Sequence, residues 1–216
     1  AGYACLDMRG RETRRVLMAA AGLLASAGAS VLAVDRQTHA FVSDVSQWPS
    51  ILILREIVTP FGQTQTQLLI LLALWLGGML AKNRRCGQAA GLALISMLIA
   101  GAGAQALKFA VPRARPFIPP EWQGVFTCGY YHSFPSADTA TAVAGALAVG
   151  HLFPRSRWWL LLAAAIVGLM RVLRLAHWPS DVLGGAAIGL LGYAAASWLS
   201  AKVGRRGLGA SPSQGR

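Results

Sequence analysis

Six stretches of the chain are nearly free of charge: Val16 to Val34, Gln67 to Ala81, Gly87 to Leu107, Ala137 to Phe153, Trp158 to Leu173 and Asp181 to Ala201. They carry almost no polar face, so they are not the amphipathic helices of a soluble bundle. A helix crosses a bilayer core with roughly 17 to 25 apolar residues. The six runs meet or approach that length and predict an all-α fold, a six-span transmembrane helix bundle. Small residues recur at the spacing that close helix packing uses: Gly185 and Gly189 form a GxxxG pair, and Ala142, Ala146 and Gly150 repeat every fourth position. Residues 35 to 65 read as a long outer loop. Within it the apolar stretch Trp48 to Val58, bounded by Pro49 and Pro60, predicts a short helix lying in the interface.

Composition points the same way. Only 13% of residues are charged and the mean hydropathy is +0.48, against about 25% charged residues in a soluble domain. The predicted organisation is a cytoplasmic N-terminal segment at 1–15, one six-span domain at 16–203, and a Gly- and Ser-rich disordered cytoplasmic tail at 204–216. The first run has no clear cleavage site before Asp35 and reads as a retained span rather than a signal peptide. Met8 reads as nearer the natural start than Ala1.

The net charge of +12 does not indicate nucleic acid, because of where it lies. Four basic clusters (Arg9 to Arg15, Lys82 to Arg85, Arg155 with Arg157, and Lys202 to Arg206) fall on one side of a six-span bundle. Positive charge in short loops marks the cytoplasmic side. Both termini are therefore expected inside an inner (plasma) membrane, with loops one, three and five facing the periplasm or outside. Trp48, Trp122 and Trp178 then fall near the outer interface, and Trp158, Trp159 and Trp198 near the inner one. Cys5, Cys86 and Cys128 form neither a disulfide framework nor a zinc spacing.

Several residues break the charge rule: Lys108, Arg113 and Arg115 in loop three, Asp138 at the start of span four, and Arg171, Arg174, His177 and Asp181 around loop five. Ionisable residues at span ends are costly and point to function. The topology gathers all of them at one face. A cluster of guanidinium and ammonium groups suits an anion, and arginine forks suit phosphate oxygens. Pro135-Ser136 and Pro179-Ser180 are helix-start signals, and helix N-termini attract anions. His177 and Asp181 are four apart. A carboxylate bonded to one ring nitrogen orients the other as a nucleophile.

These residues resemble the type 2 phosphatidic acid phosphatase superfamily. Lys108-x6-Arg115-Pro116 matches its first signature. Pro135-Ser136-Ala137-Asp138 falls where its second, Pro-Ser-Gly-His, belongs. Arg171-x5-His177-x3-Asp181 matches the third, except that Met170 stands where serine is usual. The resemblance covers roughly residues 60 to 200. It implies the fold shared with vanadium haloperoxidases, here as a six-span lipid phosphatase domain. It implies that His177 attacks phosphorus and becomes a phosphohistidine, that Asp181 polarises it, and that Lys108, Arg115 and Arg171 hold the phosphate oxygens with Ser136 adding hydrogen bonds. No metal or other cofactor is implied, since protein cations carry the charge.

The implied activity is hydrolysis of a lipid phosphate or diphosphate: undecaprenyl diphosphate, phosphatidic acid, phosphatidylglycerol phosphate or a lipid A type. The alternatives are a lipid-to-lipid phosphotransferase and a non-catalytic phospholipid-binding protein. The second signature carries a histidine that protonates the leaving group, and this sequence has Asp138 there. Three routes stay open: Asp138 as the acid, His132 as the donor, or a leaving group that needs little help. A purely structural reading, an acid favoured by the helix dipole, stands at even weight. His39 reads as remote and His151 lies at the far end of its span. Arg113 reads as a rim or headgroup contact, and Arg174 as a span anchor or an accessory to phosphate binding. The aromatic stretch Phe117 to Tyr131 reads as a site cap or an interfacial belt.

Overall fold

The computed structural model describes residues 10–118 and 131–209. Eight helices are present among them: α1 (Gly10–Ala33), α2 (Asp35–Val45), α3 (Pro49–Gly62), α4 (Thr64–Leu80), α5 (Arg84–Ala110), α6 (Ala137–Leu152), α7 (Arg157–Leu173) and α8 (Pro179–Gly209), with a 3₁₀ turn at Pro154–Ser156 before α7. Every one of the six apolar runs is a helix. The segment read as an outer loop is not a loop: it folds as α2 and α3, and α3 takes in the predicted Trp48 to Val58 stretch. α1 starts at Gly10, within the segment placed before the first span, and α8 continues to Gly209, into the stretch expected to be a disordered tail.

The protein is a multi-pass membrane protein. Among the described residues three helical segments are long and apolar enough to span by themselves: Arg84–Ala110, Pro154–Leu173 and Pro179–Val203. A fourth forms if α3 and α4 are one span bent by 52°. Length accounts for two of the predicted runs that are not counted, α4 and α6. The 17 residues of α4 and the 16 of α6 rise only about 24–26 Å, short of a core roughly 30 Å thick. The short α6 begins where the chain leaves the helix to build the site.

α8 is the central helix and packs against α1, α5 and α6. The GxxxG pair explains how it approaches α6. A Cβ on Gly185 would lie 2.4 Å from the Ser136 carbonyl oxygen, and one on Gly189 would lie 2.6 Å from that of Ala140. Backbone atoms cannot yield as a flexible side chain can, so these positions hold the two helices at glycine contact distance. The core between α5 and α6 is likewise made of small residues, with Ala100, Ala104, Ala140 and Ala144 fully buried around Met97. This tight packing fixes the start of α6 against the start of α8, where the candidate site lies.

The opposite end carries the positive charge. Arg85 donates from Nε and Nη2 to the Leu152 carbonyl at 3.1 and 2.6 Å and lies over the Phe153 ring. It thereby joins the α4–α5 turn to the end of α6, beside Arg155 and Arg157. Trp158, Trp159 and Trp198 are exposed near that end, where aromatic side chains suit the membrane interface.

Candidate active site

Local folding accounts for the Arg171-x5-His177 spacing. α7 closes in a Schellman reversal: the Leu175 amide donates to the Val172 carbonyl at 2.8 Å, and that of Ala176 to Arg171 at 3.1 Å. Leu175 takes the left-handed position (φ 54°) that glycine usually fills, a conformation that costs a branched side chain about 1–2 kcal/mol. The reversal returns the His177 amide to the Arg171 carbonyl at 3.3 Å. Both side chains of the motif are thereby held at the same turn.

The His177-x3-Asp181 spacing has its own cause. Trp178 caps α8, and the Asp181 carboxylate reaches back to accept the Trp178 amide at 2.9 Å, the side-chain half of a capping box. Asp181 is fully buried. It also accepts Arg113 at 2.6 Å and the Ser133 hydroxyl. The His177 Nδ1 to Asp181 Oδ2 separation is 3.6 Å. That is an ion-pair distance, longer than a hydrogen bond, and the buried Nδ1 has no other partner.

Burial pushes the His177 imidazole below its ordinary value. Asp181 opposes this, while Arg115 and Lys108 add to it. The resting ring is therefore neutral near pH 7, as a nucleophile must be. The same shift sets a stability trend. Just below about pH 6.5 the unfolded chain protonates this histidine before the folded protein does. The unfolded state then binds more protons, so stability rises with pH. His177's contribution is fully present above the unfolded value and is lost as pH falls towards the folded one. The melting temperature in detergent is expected to fall on acidification through pH ~6, with a shallower fall in His177→Gln. Equal slopes would contradict the assignment.

Three cations surround the ring's neighbourhood. Lys108 closes α5 and has no carboxylate within ion-pair distance among the described residues. Arg115 donates weakly to the Ala176 carbonyl at 3.4 Å, and its Nε is without a partner. Burial lowers its pKa and the Asp181 and Asp138 carboxylates raise it, but a guanidinium stays charged throughout. Arg171 pairs with Asp138. The connecting segments are tied together: the Trp178 indole donates to the Ala114 carbonyl at 2.9 Å, the Phe117 amide to Leu175 at 3.2 Å and the Ser136 amide to Asp181 at 3.0 Å.

Several sequence readings change. Arg113 is not a rim charge. It bridges Asp181 and Asp35, at 2.6 and 2.5 Å. The Trp178 ring lies under the Arg113 guanidinium. Although remote in sequence, His39 bonds the Pro116 carbonyl at 2.9 Å and packs its ring on Trp178. Ser136 is fully buried and caps α6, its Oγ accepting from the Thr139 amide and hydroxyl. Asp138 accepts the Thr64 amide and hydroxyl at 2.8 and 2.7 Å besides pairing with Arg171. His132 lies edge-on to Phe109, and the backbone on either side of it pairs with that of Arg113. Arg174 ends α7, half-buried, with its amide on the Met170 carbonyl. Ala137 opens α6 in helical backbone, which needs no glycine. Most of the aromatic stretch after Ile118, with Glu121, Trp122 and Tyr130, lies outside the described residues.

With this geometry in hand, comparison with known proteins is direct. The model for the PAP2 superfamily matches residues 89–205, which holds all three signatures. The lipid A 1-phosphatase of Rhizobium etli is 33% identical over 153 residues, 63% of this chain and 66% of that protein. The lipid A 1-phosphatase of Rhizobium johnstonii is 37% identical over 100 residues, 44% of this chain and 41% of that protein. The chain thus spans just under two thirds of the first relative's length and less of the second. The crystal structure of Aquifex aeolicus LpxE superposes with a TM-score of 0.58 at 20% identity, covering 79% of this chain and 96% of that one. The Bacillus subtilis PAP2 type phosphatidylglycerolphosphate phosphatase superposes with a TM-score of 0.52 at 19% identity, covering 93% and 98%. The family match spans more than half of the chain, the fold agrees, and the signature residues converge on one site: the protein belongs to the PAP2 superfamily.

Proposed function

We propose that the protein is a membrane lipid phosphatase that removes a phosphate group from a lipid A type substrate through a phosphohistidine on His177. The observation that carries this reading is the pairing of a buried, neutral His177 with the buried Asp181 carboxylate, beside the cations of Lys108, Arg115 and Arg171. The two relatives named as lipid A 1-phosphatases favour that substrate over the other lipids. His177 Nε2 attacks phosphorus as the P–O bond to the lipid breaks, and the departing lipid oxygen takes its proton from solvent water. The three cations stabilise the charge on the equatorial oxygens, which can supply several kcal/mol. Asp181 stabilises the positive ring of the intermediate. Water then attacks the phosphohistidine and releases phosphate. Purified protein assayed for phosphate release on a panel of lipid A, phosphatidic acid, phosphatidylglycerol phosphate and undecaprenyl diphosphate tests the reading. Release is expected to be fastest from lipid A, and no release from any lipid would sink the proposal.

Asp138 acts in this account as an ionised acceptor rather than a proton donor. Both of its oxygens are engaged by donors, namely Thr64 and Arg171. A proton there would forfeit a charge-assisted bond. The role is to hold Arg171 in place until phosphate competes for it. Asp138→Asn is expected to lower the rate by a similar factor on an alkyl phosphate lipid and on an aryl phosphate. A much larger loss on the alkyl ester, whose leaving group needs a proton, would restore the acid role.

We also infer that the basic end is cytoplasmic and the site faces outward, from the clustering of short-loop positive charge. Cys86 sits at the basic end, in the first turn of α5. A membrane-impermeant thiol reagent should leave Cys86 unlabelled in intact cells and label it in inverted vesicles. The opposite pattern would reverse the orientation.

A further inference from the structure

Asp35 lies outside the family-matched region, at the break between α1 and α2, yet it is among the most buried charges in the molecule at 2% exposure. Four donors hold it. Oδ1 accepts the Ser30 hydroxyl at 3.3 Å and the Ser180 amide at 3.1 Å. Oδ2 accepts the Ser180 hydroxyl and Arg113 Nη2, both at 2.5 Å. The Ser180 amide is one of the free donors at the start of α8, so Asp35 caps that helix from 145 residues away in sequence. Arg113 then extends its other nitrogen to Asp181 and to the Ser180 hydroxyl. The order is Asp35, Arg113, Asp181, His177: two carboxylates flank one guanidinium behind the imidazole.

We propose that Asp35 is a positioning residue for the phosphatase reaction, acting through Arg113 to leave the group behind His177 with one net negative charge. This rests on the reading of His177 as the nucleophile. Without Asp35, Arg113 would neutralise Asp181, and the positive charge that develops on the ring during phosphoryl transfer would face a neutral partner. The N-terminal helices are thus part of the catalytic apparatus, beyond the region that defines the family. The other charges near His177 are Lys108 at the end of α5, Arg115 in the next loop, and the Arg171–Asp138 pair between α7 and α6. His39 of α2 packs on Trp178. None of these is altered in the test below.

Charge balance makes the test specific. Asp35→Asn removes one negative charge, so the His177 titration and the acid limb of kcat/KM should both move to lower pH, by about half to one unit. In the same variant kcat should fall about tenfold with KM little changed. Arg113→Gln should move the His177 titration to higher pH. The double variant should return it towards wild type, whereas a merely structural role would make the damage add. Asp35→Glu keeps the charge and should keep the wild-type titration. The titration is read by NMR of the imidazole nitrogens, with His177→Gln for assignment. This needs no turnover, so failure of the phosphatase reading and failure of this proposal are separable. The sign alternation is read on Asp35→Asn and Arg113→Gln or, where one of them does not purify as monodisperse protein, on the other single variant against the double variant. Shifts of the same sign, or none, would overturn the proposal.

Discussion

His177→Ala is expected to lower phosphate release by roughly 10⁴-fold or more while leaving a folded protein. No other described side chain is placed to take over. Ser136 is fully buried with its oxygen committed to capping α6. His132 is turned to Phe109, and His39 is held by the Pro116 carbonyl. The fold should tolerate the truncation, because the turn at His177 is held by backbone bonds and Nδ1 has no hydrogen bond to lose. Phosphate release and the melting temperature, measured on the same preparation, separate loss of chemistry from loss of fold. Activity within tenfold of wild type would remove His177 from the mechanism.

Asp181→Asn is expected to lower kcat by about 10³- to 10⁴-fold, the scale seen when a buried carboxylate behind a catalytic histidine becomes an amide. Two effects combine. The charge that stabilises the positive ring is lost, and the amide can present its N–H₂ to Nδ1, which favours the wrong tautomer. The substitution also disturbs the surroundings. Asp181 accepts from Arg113, Ser133 and the Trp178 amide, and an amide has one acceptor oxygen for three donors. Breaking such a buried pair costs about 3–5 kcal/mol, so a clear drop in melting temperature should accompany the kinetic loss. A variant that keeps both wild-type kcat and wild-type stability would contradict the geometry.

Much of this was legible in the sequence for identifiable reasons. Apolar runs interrupted by charge locate the helices, because a membrane helix cannot carry unpaired charge inside. The ends of α6 and α8 are signalled by Pro-Ser pairs. His177 and Asp181 are tied by a capping turn that depends only on local spacing. The Arg113–Asp35 ion pair was hidden because it joins residues 78 apart, and no local pattern encodes that distance. One signal did exist. Asp35 ends an apolar run, and an acidic group there needs a partner, the same argument that drew attention to Asp138. α2 was missed because a polar stretch between spans reads as loop when partners such as α7 and the site residues Pro116 and Trp178 are distant in sequence.

In the proposed reaction His177 carries the phosphate between substrate and water. The most direct test of this step is to mix the protein with radiolabelled lipid A phosphate, quench in alkali within one turnover, digest, and locate the label by mass spectrometry. Acid-labile, alkali-stable phosphate is expected on the peptide containing His177 and absent from His177→Ala. Label on a different residue, or phosphate release in wild type with no labelled peptide at any time within the turnover, would contradict it.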